Sequence, residues 1–154
     1  MAIREVIFRG KRLHDNKWIY GNFISDCEGN PHIIEPRFFC EDGHHLQYED
    51  NTDTPVFIIP ETVGQYTGLT DKNGMRIFEG DICRFKRFND VHIGKIVFNA
   101  TTASFVMWYQ PIVGAYGKKA TQKMLLSVCD DIEVIGNIHD NPELLGGENN
   151  GINR

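Results

Sequence analysis

The stretch VGQYTGLTDKNGMRIFEGDIC, residues 63–83, decides how this chain folds. Gly64 and Gly68 interrupt a strand-like run through Gln65, Tyr66 and Thr67, and glycine inside such a run marks a bulge or a close backbone approach. Asp71-Lys72-Asn73-Gly74 has the composition of a type I turn followed by a left-handed residue. The Asp71 carboxylate can accept nearby backbone amides, and Gly74 takes a positive φ without a Cβ clash. Residues 75–78 leave the turn as a strand, Glu79-Gly80-Asp81 turns the chain again, and residues 82–88 follow as another strand. The stretch reads as a hairpin. It is not a phosphate cradle, because Gly64 and Gly68 lack a following Gly-Lys-Ser/Thr; like the Gly114–Gly117 loop, it opens no helix.

Outward from this hairpin the hydrophobic period stays at two. Residues 3–8 alternate, His14-Asp15-Asn16 makes a turn, and residues 17–24 alternate again, which predicts an opening hairpin. Pro31 and Pro36 bracket a short extended piece, and residues 56–59 form a buried run. Further strands are expected at 92–98, 104–110, 124–129 and 132–138. Residues 40–55 carry five acidic side chains and no Lys or Arg, and read as an exposed, mobile loop; residues 111–123 form a second loop. Residues 139–145 make the single helical turn, with Asp140 or Asn141 as N-cap and Pro142 near its start, and the tail 146–154 reads as disordered. The expected fold is mostly β: an N-terminal β-hairpin lobe (residues 1–60) packed on a small SH3-like β-barrel lobe (residues 61–145).

A chain of 154 residues with 41% hydrophobic and 11% aromatic content has the apolar surface for a real core. Its formal charge of −5 argues against a surface that grips nucleic acid throughout. That charge is uneven: residues 1–60 carry six Lys/Arg against ten Asp/Glu, residues 61–128 nine against five, and residues 129–154 one against six. The N-terminus has charges where a signal peptide needs an apolar run, and no stretch has the length of a membrane span. A soluble, cytoplasmic protein follows as the expectation. Cys27, Cys40, Cys83 and Cys129 are far apart, form no CxxC pair, and read as free, mostly buried thiols.

Three blocks carry a resemblance: FRGKRLHDNKWIYGNF near the start, PETVGQYTGLTDKNGMRIFEGDIC in the middle and DIEVIGNIHDNPELL at the end. Together they resemble the YopX family of phage and prophage proteins over about the full chain, with 40–55 and 99–123 matched least. The resemblance implies a small, mostly β, intracellular protein encoded by a mobile element. It brings no catalytic residue and no cofactor.

The residues themselves offer four candidate chemistries. Cys27, Cys40, His44 and His45 offer two thiols and two imidazoles, but their spacing lacks the close ligand pairs of a structural zinc site, so no metal is expected. Arg84, Lys86 and Arg87 alternate with Phe85 and Phe88, and with Lys95 and the Lys118, Lys119, Lys123 group they form the alternative reading, a small barrel that binds nucleic acid. A half-buried strand gives the same alternation without any function, and that is the preferred reading. Asp130-Asp131 and six histidines, His14, His32, His44, His45, His92 and His139, supply carboxylates and bases, yet nothing positions a nucleophile; Asp130-Asp131 reads as a turn and the chain as a non-enzyme. Trp18, Tyr20, Trp108, Tyr109 and Tyr116 are candidate interface anchors. The leading expectation is a protein-binding module that self-associates or contacts a phage or host protein, with no membrane partner.

Overall fold

A computed structural model describes residues 5–34, 38–39, 47–48, 55–87, 90–109, 122–126 and 129–146. Expectations for Cys40, His44, His45, Phe88, Tyr116, Lys118, Lys119, most of the acidic loop and the tail beyond Gly146 lie outside these residues. The chain divides into two compact units, Met1–Tyr66 and Thr67–Arg154.

The first unit opens with β1 (Phe8–Lys11) and β2 (Trp18–Ser25), paired antiparallel from Phe8↔Gly21 to Lys11↔Trp18. Its connection is held by Asp15, which accepts from the Arg12 guanidinium and the Lys17 amide while Asn16 adopts φ 59°. The first strand therefore lies later than residues 3–8. On its other edge, β2 pairs with β3 (Pro31–Ile34), from Asn22↔Ile34 to Ser25↔Pro31. A separate ladder joins β4 (Phe38–Phe39) to β5 (Gln47–Tyr48), which places residues 47 and 48 in a strand where a loop was expected.

β6 (Val56–Phe57) pairs with β3, and the backbone on both sides of the Arg12↔Ile58 bridge covers its other edge: Leu13 N donates to Phe57 O and Ile59 N to Lys11 O. After a 3-10 turn at Pro60–Thr62, β7 (Gly64–Thr70) pairs with β1. The order in this unit is β6-β3-β2-β1-β7. Its core is Ile19, Ile33 and Ile58, with Phe8, Val56 and Val63 packed against them.

β7 continues into the second unit, where Thr67 Oγ1 donates to Ile77 O of β8 (Arg76–Phe78). The turn between β7 and β8 is the one anticipated. Asp71 Oδ1 accepts from Asn73 N at 2.8 Å and Met75 N at 2.9 Å, and Gly74 has φ +81°. Gly68, the glycine read as a bulge site, has φ +86°.

β9 (Asp81–Arg87), β10 (Asp90–Asn99), β11 (Ser104–Tyr109), β12 (Gln122–Leu125) and β13 (Asp130–Asn137) form an antiparallel sheet in the order β12-β11-β10-β9-β13. Among the described residues no pairing joins β12 to β13, so the sheet is open and the closure of an SH3-like barrel is not seen. Ile77, Cys83, Phe85, Ile96, Met107, Tyr109 and Leu126 form its core on the inner face. The helical turn α1 (Glu143–Gly146) sits against β13 at Gly136, where an added Cβ would meet Asn141 Oδ1 at 2.6 Å and Leu144 Cδ1 at 2.9 Å.

The outer edge of β13 is not open. Lys72 N donates to Ile132 O at 2.9 Å, and Val134 N donates to Asp71 Oδ2 at 3.0 Å. The Asp71 turn thus occupies backbone groups that a free edge strand would offer to another chain.

Candidate functional site

In β9 the pleat puts Cys83 and Phe85 on the core side and leaves Arg84 and Lys86 exposed on the other. Residues directly opposite on neighbouring strands share a face. Arg84 lies opposite Ile93 of β10 and Glu133 of β13, and Lys86 lies opposite Val91 and Asp130. The outer face of this sheet therefore carries three rows: an acidic one on β13, a basic one on β9 and an apolar one on β10.

The acidic row is aimed by a distortion in its strand. The β13 register shifts between Asp130 and Glu133, and Asp131 there adopts φ 50°. Asp130 is thus paired in the strand and Asp131 lies in a bulge, Asp131 and Ile132 facing the single residue Phe85, rather than in a turn between strands; the extra residue re-aims the carboxylate while pairing resumes beyond it. Asp131 Oδ2 lies 2.6 Å from Lys86 Nζ. Glu133 Oε2 lies 2.7 Å from Lys72 Nζ and 3.5 Å from Arg84 Nη1. The hydrogen bond to Lys86 holds the Asp131 carboxyl below its usual range and raises the Lys86 ammonium above its own. The hydrogen bond from Lys72 likewise lowers Glu133, helped by the charge of Arg84.

The apolar row is bare. Val91 is 49% exposed and Ile93 is 40% exposed; both lie before Gly94, where the described pairing of β10 with β11 begins. Isolated apolar residues on a surface are ordinary, but two in succession on one face of a strand form a patch.

The four cations proposed from the sequence do not converge. Arg84 and Lys86 share the outer face, each beside a carboxylate. Lys95, on the same face of β10, lies over the Trp108 ring at 4.7 Å from its centroid. Arg87 points to the opposite side and donates from Nη1 to the Tyr109 hydroxyl. That second side also holds His92, one of the six histidines named from the sequence as possible bases. The His92 ring packs against Phe85 at 5.6 Å and Tyr109 at 5.1 Å, and its Nδ1 is buried without a hydrogen-bond partner among the described residues. Nearby, burial pushes the Cys129 thiol up to about 11, against the opposing charge of Arg87. A thiol so raised is a poor nucleophile at neutral pH.

Among the described residues no group of three or more His, Cys, Asp or Glu is placed to hold a metal ion, and Cys27 is an exposed free thiol. Of the aromatic anchors, Tyr109 is buried in the core while Tyr20 is exposed. No helix among the described residues is long and apolar enough to cross a membrane.

The model of the YopX protein family matches residues 7–146. A search of curated proteins found no match.

Proposed function

The chain belongs to the YopX protein family, and on that premise we propose that it is a phage or prophage accessory protein acting as a self-associating protein-binding module rather than a catalyst. The observation that carries this reading is the exposed pair Val91 and Ile93, set beside cations already engaged by Asp131 and Glu133.

A nucleic-acid face gains its affinity by exchanging mobile counterions for phosphates. On this face the counterions are carboxylates of the same chain, fixed in β13, and a phosphate would have to displace them. A protein surface of matched charge does not meet that obstacle. Because the face carries both signs beside an apolar row, a second copy can offer acid to base across a two-fold axis. Edge pairing through β13 is disfavoured, since the Asp71 turn occupies Ile132 O and Val134 N.

Sedimentation velocity over a concentration series tests the reading. A weight-average mass rising from one chain towards two with concentration is the expected result. A single-chain mass at every concentration would remove the self-association.

A further inference from the structure

The turn that closes onto β13 carries the dipeptide Asn73-Gly74. Both residues are exposed, and a Cβ built on Gly74 would meet nothing within 4 Å. Space is thus open beside Gly74, and the residue has no side chain of its own to crowd its backbone nitrogen. The backbone amide of Asn73 is held by Asp71 Oδ1 at 2.8 Å, whereas its side-chain amide has no hydrogen-bond partner among the described residues. What restrains the pair is the turn itself: Gly74 N donates to Asp71 O at 3.0 Å, and Asp71 N donates to Met75 O at 2.8 Å. The same turn reaches β13, with Lys72 N on Ile132 O and Val134 N on Asp71 Oδ2.

We propose that Asn73 is a site of spontaneous deamidation and isomerisation, and that the isomerised product uncovers the outer edge of β13. The chemistry needs only water. When the bond from Gly74 N to Asp71 O opens, the Gly74 nitrogen attacks the Asn73 side-chain carbonyl carbon. A C–N bond forms, the Gly74 nitrogen gives up its proton, and the side-chain amide leaves as ammonia. Water then adds to either carbonyl of the five-membered imide and breaks one of its two C–N bonds. One opening leaves aspartate at position 73. The other leaves the main chain running through the side chain, longer by one methylene and about 1.5 Å. That insertion falls inside both hydrogen bonds that close the turn, from Gly74 to Asp71 and from Asp71 to Met75. Asp71 Oδ1 accepts from Asn73 N and Met75 N, one on either side of the insertion, so the carboxylate cannot keep both and still present Oδ2 to Val134. The backbone groups of β13 that the turn occupies are then open to another chain. This role is separate from the contact assigned to the outer face and does not depend on it.

Ageing of the full chain in mildly alkaline buffer tests the site, read by peptide mapping and by labelling with an isoaspartyl methyltransferase. Incubation runs until the second such pair in the sequence, Asn150-Gly151, has reacted. Isoaspartate is expected at position 73 of the parent, with the mass gain of an amide exchanged for an acid. It is expected to be absent there in Asn73→Gln, whose longer side chain must close a six-membered ring and does so far more slowly. In aged parent the Val134 amide is expected to exchange with deuterium about tenfold faster than in fresh protein. Aged Asn73→Gln should keep the fresh rate, and Asn73→Asp, which adds the charge without the methylene, should lie near it. Isoaspartate at position 150 with none at 73 would overturn the site. Isoaspartate at 73 with unchanged exchange at Val134 would overturn its effect on β13. The sedimentation series uses fresh protein, so either role can fail alone.

Discussion

Asp71 joins two parts of the second unit through one carboxylate, with Oδ1 accepting from its own turn and Oδ2 from Val134 of β13. Burial alone would push its proton affinity up, but the amides of Val134, Met75 and Asn73 more than offset this and hold its carboxyl below the ordinary 3.8. A folded-state value below the unfolded one stabilises the native state at neutral pH, and that contribution is lost as pH falls through the folded value. Asp71→Asn keeps one acceptor but loses the charge and the second oxygen. It is expected to cost about 2 kcal/mol at neutral pH, and the gap to the parent should shrink below pH 3.8; urea melts at both pH values measure it. Two glycines provide a contrast. Gly74→Ala meets open space and pays only for its φ of +81°, about 1 kcal/mol. Gly94→Ala would push a Cβ to 2.7 Å from the Trp108 carbonyl oxygen, which is backbone, and should cost about 3 kcal/mol. Thermal melts that reverse this order would contradict the packing described. The turn around Asp71 was legible in the sequence because its chemistry is local. Its bond to Val134 was not, because no pattern within a turn names an amide 63 positions away.

At the scale of elements, β13 explains both what sequence patterns found and what they missed. Alternation located β9, β10 and β11 closely, since each has one face in a core and a period of two survives in the residues. Asp130-Asp131 suggested a turn because adjacent carboxylates favour turns, yet the strand absorbs them, with Asp131 in a bulge at φ 50°. β1 likewise begins at Phe8 rather than earlier in residues 3–8, since its ladder with β2 runs from Phe8↔Gly21 to Lys11↔Trp18 and alternation alone does not set that register. The pairing of β13 with β9 makes a testable claim about charge. In the double variant Asp131→Asn with Glu133→Gln, the Lys86 ammonium should lose its main support and titrate closer to its ordinary 10.5, as read by NMR of the side-chain nitrogen. A titration unchanged from the parent would mean that the ion pair does not persist in solution. In the parent, the Asp131 and Glu133 pairs form above the unfolded carboxyl values, 3.8 and 4.5, and are lost as pH falls through the lower folded ones.

For the whole molecule, the uneven charge along the chain resolves into pairing within the second unit. The basic middle of the sequence meets the acidic end: Lys72, Arg84 and Lys86 lie beside Glu133 and Asp131. The basic strand could be read from the sequence, but its neutralising partners could not, because they lie 45 and 49 positions away and reach it only through sheet topology. On that face the exposed cations lie beside carboxylates and Val91 and Ile93 are exposed apolar neighbours, a mixture that favours protein over nucleic acid as the partner of the second unit. The measurement that reaches this claim most directly is co-expression of tagged and untagged copies, captured by the tag and split into nuclease-treated and untreated halves. The account predicts that the untagged chain is recovered in both halves and lost when both copies carry Ile93→Asp. Recovery that vanishes with nuclease, or that survives Ile93→Asp, would contradict it.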